Sequence, residues 1–320
     1  MKIRLGYVAI SKKLGKKVTS SSTVTFSNYN KIVLPSKKLE KLQTVAASNL
    51  HDLEKIIKYN IENNIHFYRI TSALIPLVTH PEVGYWGHRE FLKQDFEYVG
   101  KLINESNMRV DTHPDEFNVI NSINPKVVEN TKINLLRQAE WFDDFKYDLG
   151  KMVIHVGGAT NGKEAGLERF ITNFNTFPKE VKSKIIIEND DKTYTARETL
   201  NLCNELNLPM VLDVHHHNCN NANDNIYDLI PKIFDTWKNE KLSPKLHFSS
   251  PKNGENDRKH SDFINPHDFI NFLENIKLFN TDIDIMLECK EKDLALFKLA
   301  SDIKELKPEY KWVDESTFIV

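Results

Sequence analysis

The 320-residue chain is 40% hydrophobic, 28% charged and 10% aromatic, the composition of a globular protein with apolar material for one large core. No apolar run approaches about 18 residues, which excludes a transmembrane helix. The odd, unpaired set Cys203, Cys219 and Cys289 supports neither a disulfide framework nor a zinc ribbon. The start, Met1-Lys2-Ile3-Arg4-Leu5-Gly6-Tyr7, lacks the apolar stretch of a signal peptide, so a cytoplasmic protein is expected. The net charge of −2 hides an asymmetry. Residues 1–60 carry twelve Lys/Arg against three Asp/Glu, a net +9, which leaves −11 on the other 260 residues. A basic N-terminal part suits phosphates, and surplus carboxylates elsewhere suit bound cations.

In chain order, short β-type runs are predicted at Arg4–Ile10, Phe67–Thr71, Arg109–Thr112, Met152–Val156, Lys184–Glu188, Met210–Val214, Lys245–Ser249 and Ile283–Glu288. A long polar, basic insertion covers residues 11–36, after the first run, and a loop of that length is usually functional or mobile. Between the runs, apolar residues recur at helical spacing, as in Leu50-Leu53-Ile56-Ile57, Phe91-Phe96-Val99-Leu102-Ile103, Leu135-Leu136-Ala139-Phe142 and Phe269-Phe272-Leu273-Ile276. Asn124-Pro125, Thr195 and Asn265-Pro266 supply helix starts. Eight strand–helix units without a linker predict one domain over residues 1–320, a closed (β/α)8 TIM barrel. A doubly wound nucleotide fold fits less well, because Ala9-Ile10-Ser11-Lys12-Lys13 follows the first strand where a glycine-rich loop should stand.

The chemistry-bearing residues fall at strand ends. His80 follows the second run, His113 ends the third and His155 the fourth, Glu188 ends the fifth, and Asp213 and His216 close the sixth. Lys245 and His247 share the seventh, His260 lies in the loop after it, and Glu288 ends the eighth. A buried, unpaired carboxylate is costly, and three end apolar strands: Glu188 after three isoleucines, Asp213 after Val211-Leu212, and Glu288 after Ile285-Met286-Leu287. Nine imidazole and carboxylate candidates exceed what one zinc needs and imply several ions such as Zn, Mn or Fe. Such a centre suits in-line displacement at phosphorus. Lys245 among them is expected to be deprotonated, carboxylated, or paired with a carboxylate such as Asp213. His216, three residues after Asp213, is the expected ligand of the His215-His216-His217 run.

The motifs Glu188-Asn189-Asp190-Asp191-Lys192, Asp213-Val214-His215-His216, Lys245-Leu246-His247-Phe248-Ser249-Ser250-Pro251, His260-Ser261-Asp262 and Phe67-Tyr68-Arg69-Ile70-Thr71-Ser72 are spread along the chain. Together they resemble the UV damage endonucleases. That resemblance implies an endonuclease IV-like barrel holding about three divalent ions, Mn2+ foremost, with Zn2+ or Mg2+ as alternatives. It implies incision of damaged double-stranded DNA immediately 5′ to UV photoproducts and other lesions. By motif, His113, His155 and Glu188 would hold one ion. Glu188 would bridge to a second completed by Asp213, His247 and Glu288, and His216 and His260 would hold a third, with His80 nearby. Lys245, which the family can carboxylate, Glu188 and His80 would be catalytic. Tyr7, Ser11, Lys12, Lys13, Glu116 and Phe117 would contact DNA or the lesion, with Glu116 standing where the family often has Gln. A sugar isomerase or epimerase of the same barrel type, or a damage-binding protein that does not cut, are the alternatives. Nothing in the sequence points to an obligate protein partner or a membrane.

Overall fold

The computed structural model describes residues 1–254 and 257–320. Eight parallel strands run β1 (Lys2–Val8), β2 (Phe67–Ile70), β3 (Arg109–Thr112), β4 (Lys151–His155), β5 (Ile185–Glu188), β6 (Met210–Asp213), β7 (Lys245–Phe248) and β8 (Ile283–Leu287). Each pairs with the next, and β8 pairs back onto β1 with Tyr7 beside Leu287, so the barrel closes. The first strand stops at Val8, two residues earlier than expected, because Ala9 turns the chain at φ 67°. Two short strands follow: β10 (Thr317–Ile319) pairs antiparallel with Lys2–Arg4 of β1, below the point where β2 joins it, and β9 (Lys311–Trp312) pairs antiparallel with β10.

Helices surround the barrel in the order α1 (Phe26–Asn30), α2 (Pro35–Glu62), α3 (His88–Phe91), α4 (Lys93–Glu105), α5 (Pro125–Asp144) and α6 (Lys163–Asn175). They continue as α7 (Lys179–Lys182), α8 (Ala196–Leu206), α9 (Val214–Cys219), α10 (Ile226–Asp235), α11 (Pro266–Ile276) and α12 (Lys292–Leu306). The expected caps form. Asn124 and Asn265 accept from the second helical amide, just after Pro125 and Pro266, and Thr195 and Glu198 make a capping box. The 11–36 insertion is not one open loop. It contains α1, and Pro35 and Ser36 already form the first turn of α2. None of the helices among the described residues is long and apolar enough to cross a membrane.

Strand alternation splits the interior in two. The larger apolar core lies between sheet and helices, while small sets fill the lumen, among them Val153, Ile186, Val211 and Trp237. The barrel floor is ionic. Arg109 lies 5.1 Å from the Phe67 ring and 5.2 Å from Trp237, and its Nη1 donates to Asp284 at 2.6 Å. Arg4 Nε donates to the same carboxylate at 2.7 Å. Burial works to raise the Asp284 pKa, and Arg109 and Arg4 overcome it and hold the carboxyl below its ordinary value.

Candidate metal centre

Glu188, at the C-terminal end of β5 and 1% exposed, is the hub of the mouth. Its Oε2 lies 3.0 Å from His113 Nε2 and 3.8 Å from His155 Nε2. Its Oε1 lies 2.7 Å from His247 Nδ1 and 3.4 Å from His216 Nδ1. Register explains the convergence: His155 sits beside Glu188 across β4–β5, and Asp213 beside His247 across β6–β7, so each pair faces the lumen at one height. Asp213 also caps α9, accepting from His216 N at 2.7 Å. This turns the chain into a helix at once, brings His216 back over Glu188, and leaves His215 and His217 buried to the side.

Three overlapping donor groups result: His113, His155 and Glu188; Glu188, Asp213 and His216; and Glu188, His247 and Glu288. The ligand atoms in each lie within 4.8 Å of one another. A buried carboxylate oxygen, Asp213 Oδ2, has no hydrogen-bond partner among the described residues, as expected of an atom placed to bind a cation. All donors are imidazole or carboxylate, so the residues present fit borderline or hard divalent ions such as Zn2+ or Mn2+.

The electrostatics carry the signature of crowded acids. Burial, then His247 and His155, act on Glu188, and the imidazoles prevail and hold it well below the usual carboxylate range. Burial, with Glu188 and Glu288 behind it, pushes Asp213 up to about 7. His216 is disfavoured as a cation by burial, yet Asp213, Glu188 and Glu288 raise it to about 9. Burial lowers His247 to about 4.

Two residues absent from the expected site stand beneath it. Arg69 on β2, 8% exposed, donates from Nη1 to Glu288 Oε1 at 2.5 Å and from Nη2 to His247 Nε2 at 2.6 Å. That orients the His247 ring with Nδ1, 2.7 Å from Glu188, as the nitrogen turned toward the donor groups. Asp111 on β3 accepts from Lys245 Nζ at 2.5 Å, with both side chains fully buried. The partner of Lys245 is therefore Asp111, not Asp213, because β3 and not β6 presents a carboxylate at the height of Lys245. Burial lowers the Lys245 amine to about 7. The signal was legible for Arg69, a charge set among Phe67, Tyr68 and Ile70, and Asp111 is its register partner on β3.

Several expected site residues fall elsewhere. His80 is in none of the three groups. It stacks on Phe26 of α1 at 4.0 Å and lines a neighbouring cavity of about 490 Å³, because the loop after β2 leans away over α1. His260 lines the central cavity of about 700 Å³ with its Nδ1 3.9 Å from Glu288, and it too completes no three-donor group among the described residues. Tyr7 does not face the mouth in this structure. Alternation on β1 points it outward, fully buried, where its hydroxyl donates to Asn60 of α2 at 2.7 Å. Ser11 is 2% exposed and donates to Asp293 of α12 at 2.6 Å, so it anchors the insertion instead of facing the mouth. Lys12, Lys13, Glu116 and Phe117 are exposed, Phe117 by 62%. Lys252, Arg258, Lys259 and Lys290 add a basic margin on the loops after β7 and β8, where Lys252 lowers the Lys290 pKa.

An eight-stranded parallel barrel whose mouth gathers imidazoles and carboxylates on a shared glutamate defines an endonuclease IV-like class of (β/α)8 protein. The crystal structure of endonuclease IV from Thermus thermophilus matches over 94% of this chain and 99% of its own, at TM-score 0.53 and 12% identity, a likeness of fold alone. The family model for the UV-endonuclease UvdE matches residues 3–315, and the chain belongs to that family. The UV DNA damage endonuclease of Halalkalibacterium halodurans is 38% identical over 307 residues, 95% of each chain. The crystal structure of SacUVDE superposes with TM-score 0.84 at 31% identity, covering 95% of this chain and 99% of that one.

Proposed function

We propose that the protein is a cytoplasmic DNA repair endonuclease that hydrolyses the phosphodiester immediately 5′ to UV photoproducts and other lesions in duplex DNA. The observation that carries this reading is the buried Glu188 shared by three donor groups at an open mouth. His113, His155 and Glu188 would hold one divalent ion, and Glu188, Asp213, His247 and Glu288 a second. His216, whose ring lies 6.2 Å from that of His260, would share a third with it. Such ions, Mn2+ foremost, supply an activated water and neutralise charge on the phosphate oxygens.

The chain's own groups then do the positioning. Arg69 keeps Glu288 and His247 aligned and adds a fixed positive charge behind them. Lys245 neutralises Asp111 below the centre. Its carboxylation, implied by the family resemblance, would replace that contact with an anion that needs a cation beside it; a carbamate carbon signal in 13C NMR after loading with 13C-bicarbonate at neutral pH reads this directly. Exposed Phe117 is suited to stack in the gap left by displaced bases, and Lys12, Lys13 and the basic margin to meet phosphates without reading sequence. Glu116 beside Phe117 repels phosphates and, while ionised, cannot donate a hydrogen bond as a Gln at that position would.

The test is incision of a duplex carrying one pyrimidine dimer, with and without added Mn2+. A metal-dependent nick directly 5′ to the dimer, leaving a 3′-hydroxyl, is expected. Binding to the damaged duplex with no cleavage under any divalent ion would overturn the nuclease reading in favour of a damage-binding protein.

A further inference from the structure

Helix α2 has 28 residues, yet the first of them to be buried is Leu42. The seven residues before it, Pro35–Lys41, extend about 10 Å at 1.5 Å per residue without entering the core. Because α2 follows β1 and returns along the outside of the barrel, this free end stands on the side of the mouth. Its tip is apolar: Val33 is 89% and Leu34 60% exposed. Lysines flank the tip, with Lys31 before it and Lys37, Lys38 and Lys41 after it, against the single acid Glu40. Lys38 lies 4.8 Å over the Tyr29 ring.

The base of this prong is built in. Val24, Leu42 and Val45 form a separate buried apolar cluster, and Phe26 stacks on His80 at the wall of the cavity that Phe117 also lines. An exposed apolar pair surrounded by lysines, inside the strongly basic N-terminal region, is complementary to a polyanion that also offers apolar surface. Duplex DNA does so in its minor groove, through sugar and base edges between two rows of phosphate.

We infer that the α1–α2 prong is a second DNA contact, gripping the duplex arm beside the lesion. Val33 and Leu34 pack into the minor groove, and Lys31, Lys37 and Lys38 meet the flanking phosphates. The inference rests on the proposed nuclease function and adds to it a contact remote from the metal centre.

The experiment compares the full-length parent with V33S/L34S and with K31A/K37A/K38A. Binding to undamaged duplex is measured across salt, and incision is measured on dimer-containing duplexes with long or short arms. The lysine variant should lower the slope of log affinity against log salt by about 0.9 for each phosphate it no longer neutralises. The serine variant should keep the slope and weaken binding roughly tenfold. Both should lose the advantage that long arms give the parent. Unchanged melting temperatures are expected, since the altered residues are outside the core. Parent-like salt slopes and arm dependence in both variants would overturn the prong. So would a parent dimer that V33S/L34S dissolves without any change in DNA binding, for the tip would then face a second copy of the chain. A parent that binds duplex yet never nicks the lesion refutes the nuclease reading separately, while the salt titration still decides the prong.

Discussion

Burying a carboxylate as completely as Glu188 costs several kcal/mol unless donors or cations surround it. Four imidazoles do so here, and each belongs to a donor group that Glu188 shares. Glu188→Ala should therefore reduce incision by more than about a hundredfold and lower bound metal measured by mass spectrometry, with an unaltered circular dichroism spectrum. Full activity in that variant would dismiss the shared-ligand arrangement. His88 offers a test remote from the mouth. It is fully buried between Tyr85 and Trp86, and neither ring nitrogen has a partner among the described residues. Burial, aided by Arg137 and Arg89, lowers its pKa from 6.5 to about 4. The unfolded chain thus takes up a proton first as pH falls. The stability that neutral His88 contributes is complete above pH 6.5 and declines towards pH 4, by up to about 1.4 kcal/mol per pH unit. His88→Phe should flatten that decline in denaturant titrations across the window, and an unchanged slope would assign the acid sensitivity elsewhere. The strand-end donors were legible in the sequence because a carboxylate that closes an apolar strand is carried into the interior, where only donors or cations make it tolerable. The orientation of Tyr7 and Ser11 was not legible, because position near a mouth says nothing of which face a side chain takes; alternation on β1 and the Asp293 carboxylate decide that.

Among the elements, the eight barrel strands were legible as apolar runs between turn signals, and the long helices from their 3.6-residue periodicity. The short pieces were not. Strands β9 and β10 have two and three residues, too few for a period to register; β10 takes the edge of β1 at Lys2–Arg4, which β2, paired only at Tyr7 and Val8, leaves open. Helix α9 was hidden for a different reason: Asp213 is at once a strand end, a helix cap and a carboxylate facing the mouth. Close packing between elements yields a further prediction. Gly100 on α4 lies against the end of α5, where an added Cβ would run into the Phe145 carbonyl oxygen. Backbone cannot yield as a side-chain tip does, so Gly100→Ala must push α4 away from α5. A loss of about 1–3 kcal/mol is expected, read as a lower melting temperature. A variant as stable as the parent would mean that the helices separate freely.

At the scale of the molecule, the two ends of the barrel handle charge differently. At the floor the buried carboxylate of Asp284 is satisfied within the chain by two guanidiniums, Arg4 and Arg109. The mouth gathers Glu188, Asp213 and Glu288 around a ring of imidazoles with one guanidinium, Arg69, behind them. Without cations that end holds protons instead, as burial and its acidic neighbours push Asp213 up to about 7. Divalent ions that bind only the folded mouth stabilise it by mass action, roughly 3 kcal/mol for each ion at a hundredfold excess over its Kd. Chelator-treated protein should therefore unfold several °C lower than protein with Mn2+, lose incision together with that stability, and regain both on adding the ion back. Glu188→Ala should show a much smaller thermal response to the same titration, which separates binding at the mouth from general effects of the salt. Equal melting temperatures and equal incision before and after chelation would rule out a metal-assisted reaction at this centre.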